Sequence, residues 1–165
     1  MIDLGILTPF VLAIIKAFEA FVNETLISSP PSEIKLEELK TEKDFFSDIS
    51  AVIALPGCVI GSLAIAFDKQ TAIKISSEML GEEIKEVNSA VKDVIGEIAN
   101  TVAGNIKEDL ASLEFENALP NIYNGTETKL DLPAGFRCFA VDFNSRFGKF
   151  TLKVSILDDV DIQRG

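Results

Sequence analysis

The sequence predicts an α+β fold in which long helices pack on one antiparallel or mixed sheet. Three observations carry this. Apolar residues recur at helical spacing from Phe10 to Leu26 and again from about Asn88 to Leu113, whereas the runs between and after them are β-branched and aromatic, broken by turn signals. The elements follow the order helix, hairpin, short helix, long helix, hairpin, which suits a sheet covered by helices. A length of 165 residues, 47% of them hydrophobic, is enough for a single domain over 1-165 with its own core.

Each element has its own local reason. Thr8 and Pro9 read as the N-cap and first residue of the opening helix, whose polar stripe is only Lys16, Glu19 and Asn23, so most of its sides are expected to be buried. Ser28-Ser29-Pro30-Pro31 ends that run, and Glu33 to Lys43 reads equally as an edge strand or a short helix. Asp48 to Phe67, split by Pro56-Gly57, predicts a first hairpin with a possible bulge at Gly61. Asp68 caps a short helix that Gly81 stops, and after an acidic turn (Glu82, Glu83, Glu86) the long helix begins near Asn88 or Ser89. Beyond it, 114–132 predicts one short strand in a turn-rich connection. Phe136 to Phe143 and Lys149 to Leu157 then form a hairpin turning at Asn144-Ser145-Arg146, with Gly148 completing the turn. The recurrence of helix and strand pair suggests two halves related by duplication.

Composition removes several classes of function. Against 15 Lys+Arg stand 26 Asp+Glu, a formal net charge of -11, so phosphate backbones and anionic lipid are repelled and neither nucleic-acid nor membrane binding is expected. With no histidine, His-based acid–base catalysis, His-activated nucleophiles and His-ligated zinc are excluded. Cys58 and Cys138 sit far apart inside apolar runs and read as buried, inert thiols. Leu4 to Val22 is apolar, but Asp3 stands where a basic region would lead a signal peptide and Lys16 and Glu19 interrupt the run. Neither signal nor span is expected, which makes the cytoplasm the expected compartment.

The long helix has an unusual exposed face. On a wheel at about 100° per residue, Val91, Val94, Ile95, Ile98, Val102 and Ile106 form a core-facing band, while Glu97, Asn100 and Gly104 fall within about 40° of Asp93 on the other side. Gly96 sits on the shoulder of that ridge. Each mid-helix glycine costs about 1 kcal/mol relative to alanine, and two of them flank Glu97 and Asn100. One reading is that another surface approaches closely there. The plain reading is an exposed polar face, and wheel geometry alone leaves both open.

The flanks of this helix carry a resemblance. Asp93-Val94-Ile95-Gly96-Glu97-Ile98-Ala99-Asn100, then Ala103-Gly104-Asn105, then Leu119-Pro120-Asn121-Ile122-Tyr123-Asn124-Gly125, resembles the signature of the CheC/CheX/FliY chemotaxis phosphatases. Upstream, Leu55 to Phe67 followed by the helix to Met79-Leu80-Gly81 looks like the strand-helix block of the same family, so the likeness runs from about Ile49 to Leu157. CheC-like members carry two such helices and CheX-like members one. In the first helix Glu19 and Asn23 are four apart, not three, so the sequence is most similar to CheX.

The resemblance implies a pseudo-duplicated CheC-like fold, a homodimer, and hydrolysis of the aspartyl phosphate on a phosphorylated CheY-type response regulator. It further implies that Asn100 positions the attacking water and Glu97 pairs with a lysine of the regulator, with Asp93, Gly96 and Gly104 meeting the partner. An acyl phosphate is already activated, and a carboxamide that both donates and accepts hydrogen bonds can hold water in line with phosphorus. No cofactor of its own is implied, since Mg²⁺ would be bound by the regulator. The alternative from the same likeness is a non-catalytic module that binds a regulator or flagellar switch component.

Overall fold

Residues 4–24, 26–34, 47–54, 60–109, 120–124 and 135–157 are described by the computed structural model. A 3-10 turn over Leu4–Leu7 runs directly into helix α1, Thr8–Val22. Thr8 is therefore already helical and Leu7 holds the N-cap position with no side-chain cap, because the preceding turn continues the chain into the helix. Pro9 lies in the first turn, as expected. The helix closes at Asn23, not at the Ser28–Pro31 segment. Asn23 takes the left-handed conformation (φ 49°) and its N–H returns to Glu19 O at 3.2 Å.

Among the described residues, seven strands form one sheet. They are β1 (Ile27–Ser28), β2 (Ser32–Ile34), β3 (Ile49–Ala54), β4 (Ile60–Phe67), β5 (Asn121–Asn124), β6 (Phe136–Ser145) and β7 (Gly148–Leu157). The order is β1-β6-β7-β4-β3-β5, with β2 also on β6, and every pairing is antiparallel. The open choice at Glu33 is thus settled as strand as far as Ile34, and 35–46 lie outside the described residues. Register shifts between Ile60 and Ser62 of β4, which places the irregularity at Gly61. The Pro56-Gly57 turn and Cys58 lie outside the described residues. In the last hairpin the strands run further than the turn residues suggest: Asn144 and Ser145 remain paired, and Arg146–Phe147 alone form the turn.

Alternation along the strands builds the core. Ile49, Ala51 and Ile53, Leu63, Ile65 and Phe67, Phe139, Val141 and Phe143, and Phe150, Leu152, Val154 and Ile156 point to the face covered by the helices. Phe150 is the centre of an aromatic stack, 4.7 Å from Phe18 of α1 and 5.1 Å from both Phe67 and Phe143. The other face carries small or polar side chains that are also buried, among them Ser50, Ala64, Ala66, Cys138 and Ser155. Burial pushes the Cys138 thiol up to about 12, with the nearby Lys153 charge opposing it, in keeping with the expected inert thiol.

Helix α2 (Lys69–Leu80) is capped by Asp68, which accepts from Thr71 N at 2.7 Å, while Asp48 accepts from Lys69 N at 2.8 Å. Gly81 closes it in the left-handed conformation. Helix α3 (Ser89–Asp109) follows, with Asn88 Oδ1 accepting from Val91 N at 3.1 Å at its start. Its expected extension toward Leu113 lies outside the described residues. Among the described residues, no helix is long and apolar enough to cross a membrane.

The topology has two like halves. In the first, α1 is followed by β1 and β2 and then the β3–β4 hairpin; in the second, α3 is followed by β5 and then the β6–β7 hairpin. The short strands of each half pair with the other half's hairpin, β1 and β2 on β6 and β5 on β3, and β4 meets β7 at the join. This arrangement is what an old duplication would leave.

Candidate functional site

Helix α3 presents opposite faces to the core and to solvent. Val91, Val94, Ile95, Ile98, Ala99, Val102 and Ile106 are buried, against α1, α2, β3 and β5. Asp93, Glu97, Asn100 and Gly104 are all exposed, and Gly96 is half-buried, as the wheel predicts. The four exposed residues therefore form one ridge along the helix, with Glu97 and Asn100 one turn apart near its middle.

None of the side chains of Asp93, Glu97 and Asn100 forms a hydrogen bond or ion pair among the described residues. Two carboxylates and one amide thus stand in water with their bonding capacity uncommitted. Among the described residues, a Cβ at Gly96 or Gly104 would meet nothing within 4 Å, so no described neighbouring element accounts for either glycine. Beside them, Ala103 is half-buried, so the surface along the C-terminal side of Asn100 stays low.

Among the described residues no group of three or more His, Cys, Asp or Glu side chains could hold an ion. A groove of about 340 Å³ between the start of α1 and the Ser28–Pro31 connection shares no residue with the ridge. What the ridge offers is a pair of polar groups on one helix face, with Gly96 beside them and Gly104 following on the ridge, able to orient a small molecule such as water.

One residue of the motif has a place that wheel reasoning did not single out. Asn105 Nδ2 donates to the main-chain oxygen of Ala13 on α1 at 3.2 Å, a contact across 92 positions of sequence. In the sequence it stands in the Ala103-Gly104-Asn105 segment of the quoted signature, with nothing local to show its partner on α1. Pro120 directly precedes β5 and is half-buried, consistent with shaping the chain there, whereas Leu119 and Gly125 lie outside the described residues.

Comparisons with known proteins agree with the sequence resemblance. A family model described as chemotaxis phosphatase CheX matches residues 49–144, more than half of the chain. A curated relative, the CheY-P phosphatase CheX of Thermotoga maritima, is 30% identical over 82 residues, covering 48% of this chain and 53% of that protein. The chain thus spans about half the length of the curated relative it matches. Among solved structures, a chemotaxis protein CheX from Desulfovibrio desulfuricans superposes with a TM-score of 0.75 at 25% identity, covering 93% of this chain and 99% of that one. A CheX-CheY-BeF3-Mg²⁺ complex from Borrelia burgdorferi shares the fold, with a TM-score of 0.66 at 19% identity over 93% of this chain and 97% of that one. With α3 and its ridge inside the matched segment, the chain belongs to the CheX family of chemotaxis phosphatases.

Proposed function

We propose that this protein accelerates hydrolysis of the aspartyl phosphate on a CheY-type response regulator and so ends a chemotaxis signal. The observation that carries the reading is the uncommitted, exposed Glu97 and Asn100 on one ridge, with no Cβ at Gly96 and Gly104 on either side. Family membership and the activity named for the Thermotoga maritima relative support the substrate class. The fold neighbour solved with CheY supports the choice of partner.

In this reading the ridge docks over the phosphorylated aspartate of the regulator. Glu97 pairs with a lysine there and sets the register, while Asp93 adds a second carboxylate one turn before it. The Asn100 side chain accepts a hydrogen bond from one water and holds its oxygen in line with the phosphorus. That oxygen forms a new P–O bond as the bond to the aspartyl carboxylate breaks, leaving a free carboxylate and inorganic phosphate that takes up the water's proton. The metal belongs to the regulator, not to this chain. The proposal includes a homodimer, as the family resemblance implies, and the cytoplasm as its compartment, as expected from the sequence.

The test is loss of radiolabel from a phosphorylated regulator. Asn100→Ala is expected to lower the accelerated rate by about 10²-fold or more, since an orienting group at the reacting atoms is removed. Glu97→Ala is expected to raise KM by roughly tenfold, about 1.4 kcal/mol of docking energy. Full activity of Asn100→Ala would overturn the proposal. Binding of the phosphorylated regulator with no faster phosphate loss by the unmodified protein would instead identify a binding module.

A further inference from the structure

The catalytic reading asks more of α3 than exposure, because a water held by a short amide must be placed to well under 1 Å. The buried side of the helix does not obviously supply that. Val91, Val94, Ile95, Ile98, Ala99, Val102 and Ile106 hold it to its neighbours by apolar contacts, which lack the directionality of a hydrogen bond. A hydrogen bond is directional, and among the described side chains of α3 one bond reaches another helix: Asn105 Nδ2 to Ala13 O at 3.2 Å.

Ala13 is wholly buried in α1, so the accepting oxygen is out of water and the bond is not traded for a solvent one. Ala13 and Ala17 on α1 are 0% exposed and Ala99 on α3 likewise, small residues that suit close approach of helix backbones. Asn105 lies five residues past Asn100, about 140° around the helix, on the flank toward α1. A displacement or roll at Asn105 is therefore carried by the rigid backbone to Asn100 some 7.5 Å along the axis, at about 1.5 Å per residue.

We infer that Asn105 is a positioning residue for the reaction, fixing the axial and rotational setting of α3 on α1 so that Asn100 holds its water in line. The inference rests on the phosphatase reading. Its signature is a separation of turnover from binding. Asn100 has a short side chain and no slack, and a misplacement of about 1 Å can cost about 10²-fold in rate. Glu97 has a longer, more flexible side chain that follows its partner through a small shift.

The experiment compares Asn105→Leu, Asn105→Gln and the unmodified full chain. Leucine matches asparagine in the number and branching of its side-chain heavy atoms and favours helix, but it is bulkier and donates nothing; glutamine keeps the donor on one more methylene. Label loss from the phosphorylated regulator gives kcat and KM, and titration onto the beryllofluoride-treated regulator gives affinity without turnover. Asn105→Leu is expected to lose about tenfold in kcat, with KM and affinity within twofold. Asn105→Gln should recover more than half of that loss on a logarithmic scale. Should Asn105→Leu fail to fold, the Asn105→Gln and Asn105→Asp pair carries the test, the carboxylate keeping the shape but offering no donor. The inference is overturned by kcat unchanged within twofold in the donor-free variant, by affinity falling in step with kcat, or by glutamine performing no better than leucine. An unmodified protein that leaves the phosphate lifetime unchanged would overturn the phosphatase reading itself, and the inference with it.

Discussion

Glycine means different things at three positions of this chain, and a Cβ tells them apart. At Gly148 the backbone has φ of 130°, where side chains are rarely found, and a Cβ would run into the Thr71 hydroxyl of α2. Gly148→Ala is expected to destabilise the fold by at least about 1–3 kcal/mol, read from urea unfolding. At Gly96 and Gly104 the helix is regular and a Cβ would meet nothing, so Gly104→Ala should stabilise by up to about 1 kcal/mol. The same substitution should weaken docking of the regulator, raising KM while the protein becomes harder to unfold. Stabilisation with KM unchanged would show that the notch beside Asn100 is not used for approach. The contrast was half legible in the sequence. Helix periodicity shows that two glycines break a propensity rule on one face, but whether a neighbour fills the gap is a tertiary fact.

Between elements, short polar links decide more than the strand pattern reveals. Arg146, in the turn between β6 and β7, donates to Val22 O at 2.9 Å, pairs with Glu24 at 3.3 Å and Glu78 at 3.5 Å, and stacks over Phe147 at 4.7 Å. A cation is thus placed at the C-terminal end of α1, where unpaired carbonyls and the helix dipole favour it, while also reaching α2. Its side chain is 48% exposed, so the ion pairs count for little. Arg146→Ala is expected to cost about 1 kcal/mol, mainly from the carbonyl bond, checked by the shift of the thermal midpoint. Local chemistry made the Asp68 and Gly81 caps of α2 and the Gly61 irregularity readable in advance, because each depends on residues within one turn. The beginning of α1 was not readable that way: Thr8-Pro9 is a sound starting signal, but Leu4–Leu7 form a turn that carries the chain into the helix before it. The Asn144-Ser145 pair similarly gave a turn signal in a stretch that stays paired, since β7 is in register with β6 from its first residue, Gly148.

Over the whole molecule, charge and topology set the terms of partnership. With a net charge of -11, the proposed function gains nothing from bulk attraction to a pocket that already carries an aspartyl phosphate, and it assigns docking to local pairing at Glu97. Affinity for the regulator is therefore expected to be modest and to change less than about tenfold between roughly 50 and 200 mM salt; a steep rise at low salt would contradict this. The fold class was legible from element order, whereas strand order, the crossing of short strands between halves, and the seat of α3 on α1 depend on contacts remote in sequence. The two halves also raise a question of number. α1 and α3 precede like sets of strands, yet only α3 carries an uncommitted acid and amide three residues apart. In α1 the position three after Glu19 is Val22, 6% exposed in the core, and the asparagine beyond it is spent closing the helix. An amide at position 22 would be buried among hydrocarbons, so this half cannot acquire the pair by one exchange without unpacking itself. Of the two like helices only α3 carries the pair, so the proposed function predicts a single class of regulator site on them, read as a one-site saturation curve without cooperativity inside a chain.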